Sequence, residues 1–123
     1  MIESFRDLEV WQRSVSLVEV IYRVTGGFPT EERFGLCAQL RRAAVSIPSC
    51  IAEGNVRRTT KDYLRFVSMA AGSAAEVETQ LIIAERLGML GLEHAADLRE
   101  RIDHVSRMLN RLRQSLEAKL PRP

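Results

Sequence analysis

Apolar residues recur every three or four positions through four stretches of this chain, and glycine or proline breaks the pattern between one stretch and the next. That spacing lays a stripe along one face of an α-helix, whereas a half-buried strand needs an alternation of two. No segment offers the alternation. The sequence therefore predicts an all-α protein with four helices, over roughly residues 6–25, 31–54, 60–87 and 92–118.

In the first helix the stripe is Leu8, Trp11, Val15, Val18 and Tyr22; Ser4 and Asp7 have the spacing of a capping pair, and Gly26 with Gly27 supplies the stop. The second stripe, Cys37, Leu40, Ala44, Ile47 and Ile51, is entered through Thr30, with Glu31 and Glu32 at the helix end that favours negative charge. Pro48 falls inside it. A proline there removes one backbone hydrogen bond and crowds the preceding turn, so a kinked second helix is expected. Tyr63, Val67, Ala70, Ala74, Val77, Leu81 and Ala84 form the third stripe, and the run from Ala70 to Ala75 is so small that a neighbouring helix can come close. The fourth is Ala95, Leu98, Ile102, Val105, Leu109, Leu112 and Leu116.

Connections this short between helices this long turn each helix back on its predecessor, and the simplest closed solution is an antiparallel up-down-up-down four-helix bundle. A chain of 123 residues, 46% hydrophobic and 28% charged, is enough for one such domain spanning residues 1–123. Val10, Leu17, Ile21 and Val24 add a second apolar line to the first helix, and Phe66, Met69, Ile82 and Ile83 add one to the third. Two readings fit these lines: a core-facing stripe wider than one seam, or a surface that self-association covers.

No basic-then-apolar signal opens the chain and no apolar run approaches the length of a membrane span, so the expected compartment is the cytoplasm, with no membrane partner. Cys37 and Cys50 lie about 20 Å apart along one helix at 1.5 Å per residue, too far to bridge, and are expected to be reduced and buried.

Catalytic and metal chemistry need particular constellations. A di-iron bundle needs Glu-x-x-His pairs, and none is present; His94 and His104 are ten residues apart on one helix and cannot share an ion. Glu100 and His104 have the spacing of an exposed charge pair. Neither histidine sits in a motif that would activate a nucleophile, and Gly26 with Gly27 follows a helix instead of leading from a strand into one, so it is no phosphate loop. The expectation is a protein without catalytic residues, metal or cofactor.

Basic residues are the remaining signal. Arg41 and Arg42 lie midway along the second helix, Arg57, Arg58, Lys61 and Arg65 surround the turn into the third, and Arg107, Arg111 and Arg113 line the fourth. Brought to one face by folding or assembly, these groups can contact phosphates; left apart, they pair with nearby glutamates as solvated charges. Glu53 stands out because a carboxylate in the last turn of a helix meets the negative end of the dipole. A cationic partner is expected; Arg57 lies four positions on, and the expected arrangement is an interhelical or intersubunit salt bridge.

The segment QLRRAAVSIPSCIAEG at Gln39 to Gly54 resembles the signature of a bacterial four-helix-bundle family, the 23S rRNA intervening-sequence proteins. So do the opening FRDLEVWQRS, the YLRF segment at Tyr63 to Phe66 and the AAGSAAEVETQL stretch at Ala70 to Leu81. The resemblance covers roughly residues 5 to 118. One position departs from the pattern: Cys50 stands where the family usually has asparagine, so no polar role transfers there. The resemblance implies an antiparallel bundle, usually a ring-shaped homopentamer, without catalysis. It also points to RNA or DNA as a partner, since a similar bundle is the accessory subunit of certain reverse transcriptases and engages nucleic acid and the polymerase through a basic surface. The functional expectation is an oligomeric bundle binding structured RNA or other nucleic acid through arginine, with a protein-interaction scaffold or accessory subunit as the alternative.

Overall fold

The structure is a computed structural model that describes residues 4–121. Its helices are α1 (Glu9–Thr25), α2 (Leu36–Asn55), α3 (Thr60–Arg86) and α4 (Leu92–Ala118), with short 3-10 turns at Phe5–Asp7 and Thr30–Glu32 and no strand among the described residues. Each helix packs on the next and α1 closes onto α4, leaving α1 and α3, like α2 and α4, facing each other across the core. This is a four-helix bundle. None of the helices is long and apolar enough to cross a membrane.

Helix directions follow from which residues meet. Ser46 lies 2.8 Å from Ser73, hydroxyl to hydroxyl, whereas Gly54, eight residues further along α2, abuts Phe66 and Tyr63 near the start of α3. The two helices therefore run in opposite directions. Between α1 and α4, one groove joins Arg13 and Ser16 to His104, and a second joins Val20 through Gly27 to Met89 and Gly91. That order is reversed too. One end of the bundle consequently gathers the start of α1, the α2–α3 turn and the end of α4; the other gathers the α1–α2 connection and the α3–α4 turn.

Burial corrects the expected face of α1. The line turned into the core is Val10, Ser14, Leu17 and Ile21, with Val20 and Thr25 beside it, and Leu8, Trp11 and Val18 only flank it. Tyr22 is 43% exposed. Two polar residues disguise this line, and each is made fit for burial by its own helix: Ser14 Oγ donates to the Trp11 carbonyl at 2.8 Å and Thr25 Oγ1 to the Ile21 carbonyl at 2.6 Å. The stripes expected for α2 and α4, and that of α3 from Val67 onward, are buried, with Leu112 and Tyr63 half-buried.

Helix starts also shift. Phe5–Asp7 is a separate 3-10 turn closed by a capping box between Ser4 and Asp7, so α1 begins at Glu9 instead of residue 6. Likewise α2 begins at Leu36, not residue 31: Thr30–Glu32 forms its own turn, and Glu32 reaches forward so that its carboxylate accepts from the Leu36 N–H at 3.0 Å. Pro48 is buried inside α2, which continues through it to Asn55. Thr59 caps α3, its hydroxyl accepting from the Asp62 N–H at 3.1 Å. At the far end Gly88 adopts φ +74, letting the Met89 N–H return to the Ala84 carbonyl at 2.9 Å.

Small residues bring α2 and α3 close. Ala43, Ala44, Ala70 and Ala74 are buried between larger neighbours such as Leu40, Ile47, Ile51, Val67 and Val77. A Cβ added at Gly54 would stand 2.8 Å from Phe66 Cβ. This close packing of α2 on α3 holds the turn between them in place.

Candidate nucleic-acid interface

Arg57 and Arg58 occupy the turn after α2, and Lys61 and Arg65 the first two turns of α3. The Arg57 and Arg65 guanidiniums both lie against the buried Phe66 ring, 4.8 Å and 4.7 Å from its centroid. That ring orients two like charges at one place. Arg57 Nη2 also donates to Glu53 Oε1 at 2.9 Å, both side chains about half exposed. Glu53 thus has a cation four residues away, bound locally across the helix end instead of between helices; an exposed pair of this kind adds little stability. Arg58 and Lys61 are exposed and have no partner among the described residues.

On α4, Arg107 pairs with Asp103 at 2.9 Å, and Arg113 donates to Asn110 Oδ1 at 2.6 Å with Glu117 further off at 3.9 Å. Arg111 is exposed and has no partner among the described residues. The antiparallel arrangement brings this half of α4 to the same end of the bundle as the α2–α3 turn. Arg41 and Arg42 do not join them. Arg41 is engaged inside the fold, with Nε donating to Thr25 Oγ1 at 2.9 Å and Nη2 to the Tyr22 carbonyl at 3.2 Å; Arg42 is exposed beside a polar groove between α2 and α3.

Charge is divided along the bundle. The half holding the α2–α3 turn (residues 4–16, 46–75 and 105–121) carries ten basic and five acidic residues, a net +5. The other half (17–45 and 76–104) carries seven basic and ten acidic, a net −3. Together these give the +2 of the whole sequence, in which Glu3 and Arg122 cancel. A near-neutral total therefore conceals a basic end, where unpaired cations such as Arg58, Lys61 and Arg111 are free to meet phosphate oxygens.

The remaining chemistry-bearing residues stay dispersed. His104 and His94 line successive stretches of the α1–α4 groove, and among the described residues no three of His, Cys, Asp or Glu are placed to hold a metal. Both cysteines are buried and free; Cys50 lies 3.6 Å from Ser46 Oγ and Cys37 3.8 Å from the Thr25 carbonyl. One residue that no sequence pattern singles out is Gln80, whose Oε1 is buried without a hydrogen-bond partner.

The fold and its charge distribution define a small all-α four-helix bundle with one basic end. Over residues 6–111 the chain matches the model of the 23S rRNA-intervening sequence protein family, and it belongs to that family. It is similar to the crystal structure of a protein with unknown function from the S23 ribosomal protein family of Bacteroides thetaiotaomicron. The TM-score is 0.78 over 85% of this chain and 98% of that one, at 18% identity. At that identity the likeness shows the fold alone. No curated protein matches.

Proposed function

We propose that this protein is a non-enzymatic, self-assembling bundle that binds structured RNA or another nucleic acid through the phosphate backbone, using the basic end. The observation that carries the reading is the charge division: net +5 on the half formed by the α2–α3 turn and the ends of α1 and α4, against −3 on the other. Within that end Arg58, Lys61, Arg111 and Lys119 are exposed cations whose side chains have no partner among the described residues, so they lose no ion pair on meeting a phosphate. Arg57, Arg65, Arg107 and Arg113 extend the surface. Arg41 is left out because its donors are already engaged. Assembly into a ring, with five subunits as the family resemblance implies, multiplies such contacts.

A second reading, a scaffold or accessory subunit that docks a protein, is favoured by the exposed Phe34, Leu87 and Leu92 at the opposite end, 86%, 63% and 81% exposed. A structured RNA hairpin titrated with the purified protein at low and near-physiological salt decides between them. Steep loss of affinity with salt, reduced in an Arg58→Ala/Lys61→Ala/Arg111→Ala variant, supports the first reading. Absence of binding at low salt sinks it.

A further inference from the structure

The groove between α3 and α4 has an apolar floor. Leu81, Leu90, Ala95 and Ile102 form it, all buried, and Ile82 stands beside them 43% exposed. It holds a recess of about 90 Å³, room for the end of one aliphatic side chain. The recess opens into a wider trough of about 460 Å³ that shares Glu78, Arg99 and Ile102 with it and continues past Ala96 to Asp103. Small side chains at Ala95 and Ala96 let another element come close to α4 here.

The rim is acidic. Glu78 and Glu85 stand on the α3 side and Glu100 and Asp103 on the α4 side; Arg99 is the one cation lining the groove among the described residues, so four negative charges against one positive leave a net −3. Arg99 is already engaged, with Nη2 donating to both Glu85 carboxylate oxygens at 2.9 and 2.8 Å, and Arg107 from beyond the trough takes Asp103 at 2.9 Å. Glu78 and Glu100 are exposed and have no partner among the described residues. An apolar floor between two unpaired carboxylates is complementary to a ligand that is aliphatic at its centre and cationic at its edges.

Spacing gives that ligand its form. The lining runs from Glu78 to Glu85 on α3 and from Ala95 to Asp103 on α4, two turns of each helix, roughly 10–12 Å at 1.5 Å per residue. A trough of that length between two helices matches two turns of a third, with aliphatic residues at i, i+3 or i+4 and i+7 on the floor. We infer that this groove is the docking site for a basic amphipathic helix of another protein, its lysines or arginines flanking the aliphatic stripe. Charge selects the occupant. Nucleic acid would bring phosphates to Glu78 and Glu100 as like charges. A second copy of this chain offers no matching stripe among the described residues: Ile82, Ile83 and Leu87, the exposed large apolar residues that recur along one helix, belong to this same acidic half, and Val56 and Met69 of the basic half lie on separate elements. The site is apart from the basic end, so the two can be filled at once.

Fluorescence anisotropy tests this on the full chain with a labelled helical peptide of about 14 residues, leucine at i, i+3 and i+7 and lysine along both flanks. A scrambled peptide of the same composition and one with glutamate in place of lysine are the controls. The variants are Glu78→Gln/Glu100→Gln and Ile82→Gln, with circular-dichroism melts to establish that each folds and hairpin RNA affinity measured alongside. Wild-type protein is expected to bind the ordered peptide about tenfold more tightly than either control, and each variant to lose about tenfold while its hairpin affinity stays unchanged. An ordered peptide that binds no better than the scrambled one, or that binds both variants like the wild type, overturns the site. Variants that also fall below the wild-type mass in light scattering show that a second copy fills the groove, and overturn it too. Ordered-peptide binding that follows the groove variants while the hairpin fails to bind supports this site and removes the nucleic-acid reading.

Discussion

The Arg41 guanidinium lies 4.5 Å over the Tyr22 ring while its Nη2 donates to the Tyr22 backbone carbonyl at 3.2 Å, so one side chain of α2 grips the last turn of α1 twice at a single residue. A third contact, to Thr25 Oγ1, completes the hold. The last carbonyls of a helix lack intrahelical partners and form the negative end of its dipole, which makes a cation there a cap. Arg41→Ala is expected to destabilise the protein by about 1–3 kcal/mol, read as a lower urea midpoint. Arg41→Lys should recover only part, because an ammonium lacks the planar fork. RNA affinity of the folded variant should be unchanged.

The core face of α1 makes a second prediction. Leu17 is fully buried, whereas Val15 is only half-buried. Leu17→Ala should cost about 2–5 kcal/mol in chemical denaturation. Val15→Ala should cost about 1 kcal/mol or less. Equal losses would mean that α1 is rotated by one residue from the position described.

Two glycines should respond with opposite signs. At Gly54 a new Cβ meets Phe66 Cβ at 2.8 Å and the Tyr63 carbonyl at 3.2 Å, contacts near the backbone that α3 cannot relieve by turning a side chain. Gly54→Ala should therefore destabilise by about 1–3 kcal/mol. Gly91 caps α4 without a side-chain hydrogen bond and has open space around it. Aspartate there gains an N-cap bond and a favourable dipole interaction, so Gly91→Asp should stabilise by about 0.5 kcal/mol, raising the melting temperature by a few degrees.

Within the basic end, the cations should rank by what they already hold. Removing Arg58 or Arg111 should weaken RNA binding more than removing Arg107, which must first leave Asp103. Each of the first two should lower the slope of log affinity against log salt by about one. A filter-binding series across several salt concentrations measures this directly.

The faces of α2 and α4 are legible in the sequence because each carries one uninterrupted apolar line, and that of α3 is legible from Val67 onward, where the first of its two lines is buried and Met69, Ile82 and Ile83 of the second stay exposed. That of α1 is not: Ser14 interrupts the true line, and a rival line one position over contains Trp11. Residues such as Thr30, Glu31 and Glu32 have the composition of a helix start, which hides the fact that Gly35, at φ −103 and ψ −116, delays α2 by several residues. The basic residues can be counted from the sequence, but their sorting cannot. Only the direction of each helix puts Arg58 and Arg111 at one end and leaves Arg41 at the other. Gln80 carries no signal at all, since a glutamine on a helix flank becomes informative only when its neighbours bury it.

The division of charge along the bundle also bears on how the molecule meets a partner. With α1 opposed to α4 and α2 to α3, the backbone dipoles largely cancel, and the molecule's electric moment is set by the side-chain split between +5 and −3. A body with such a moment rotates in a polyanion's field before contact, within a distance set by the Debye length, about 10 Å at 0.1 M salt. Collisions then arrive basic end first. Orientation becomes part of the encounter itself, and added salt should slow capture well before it hastens release.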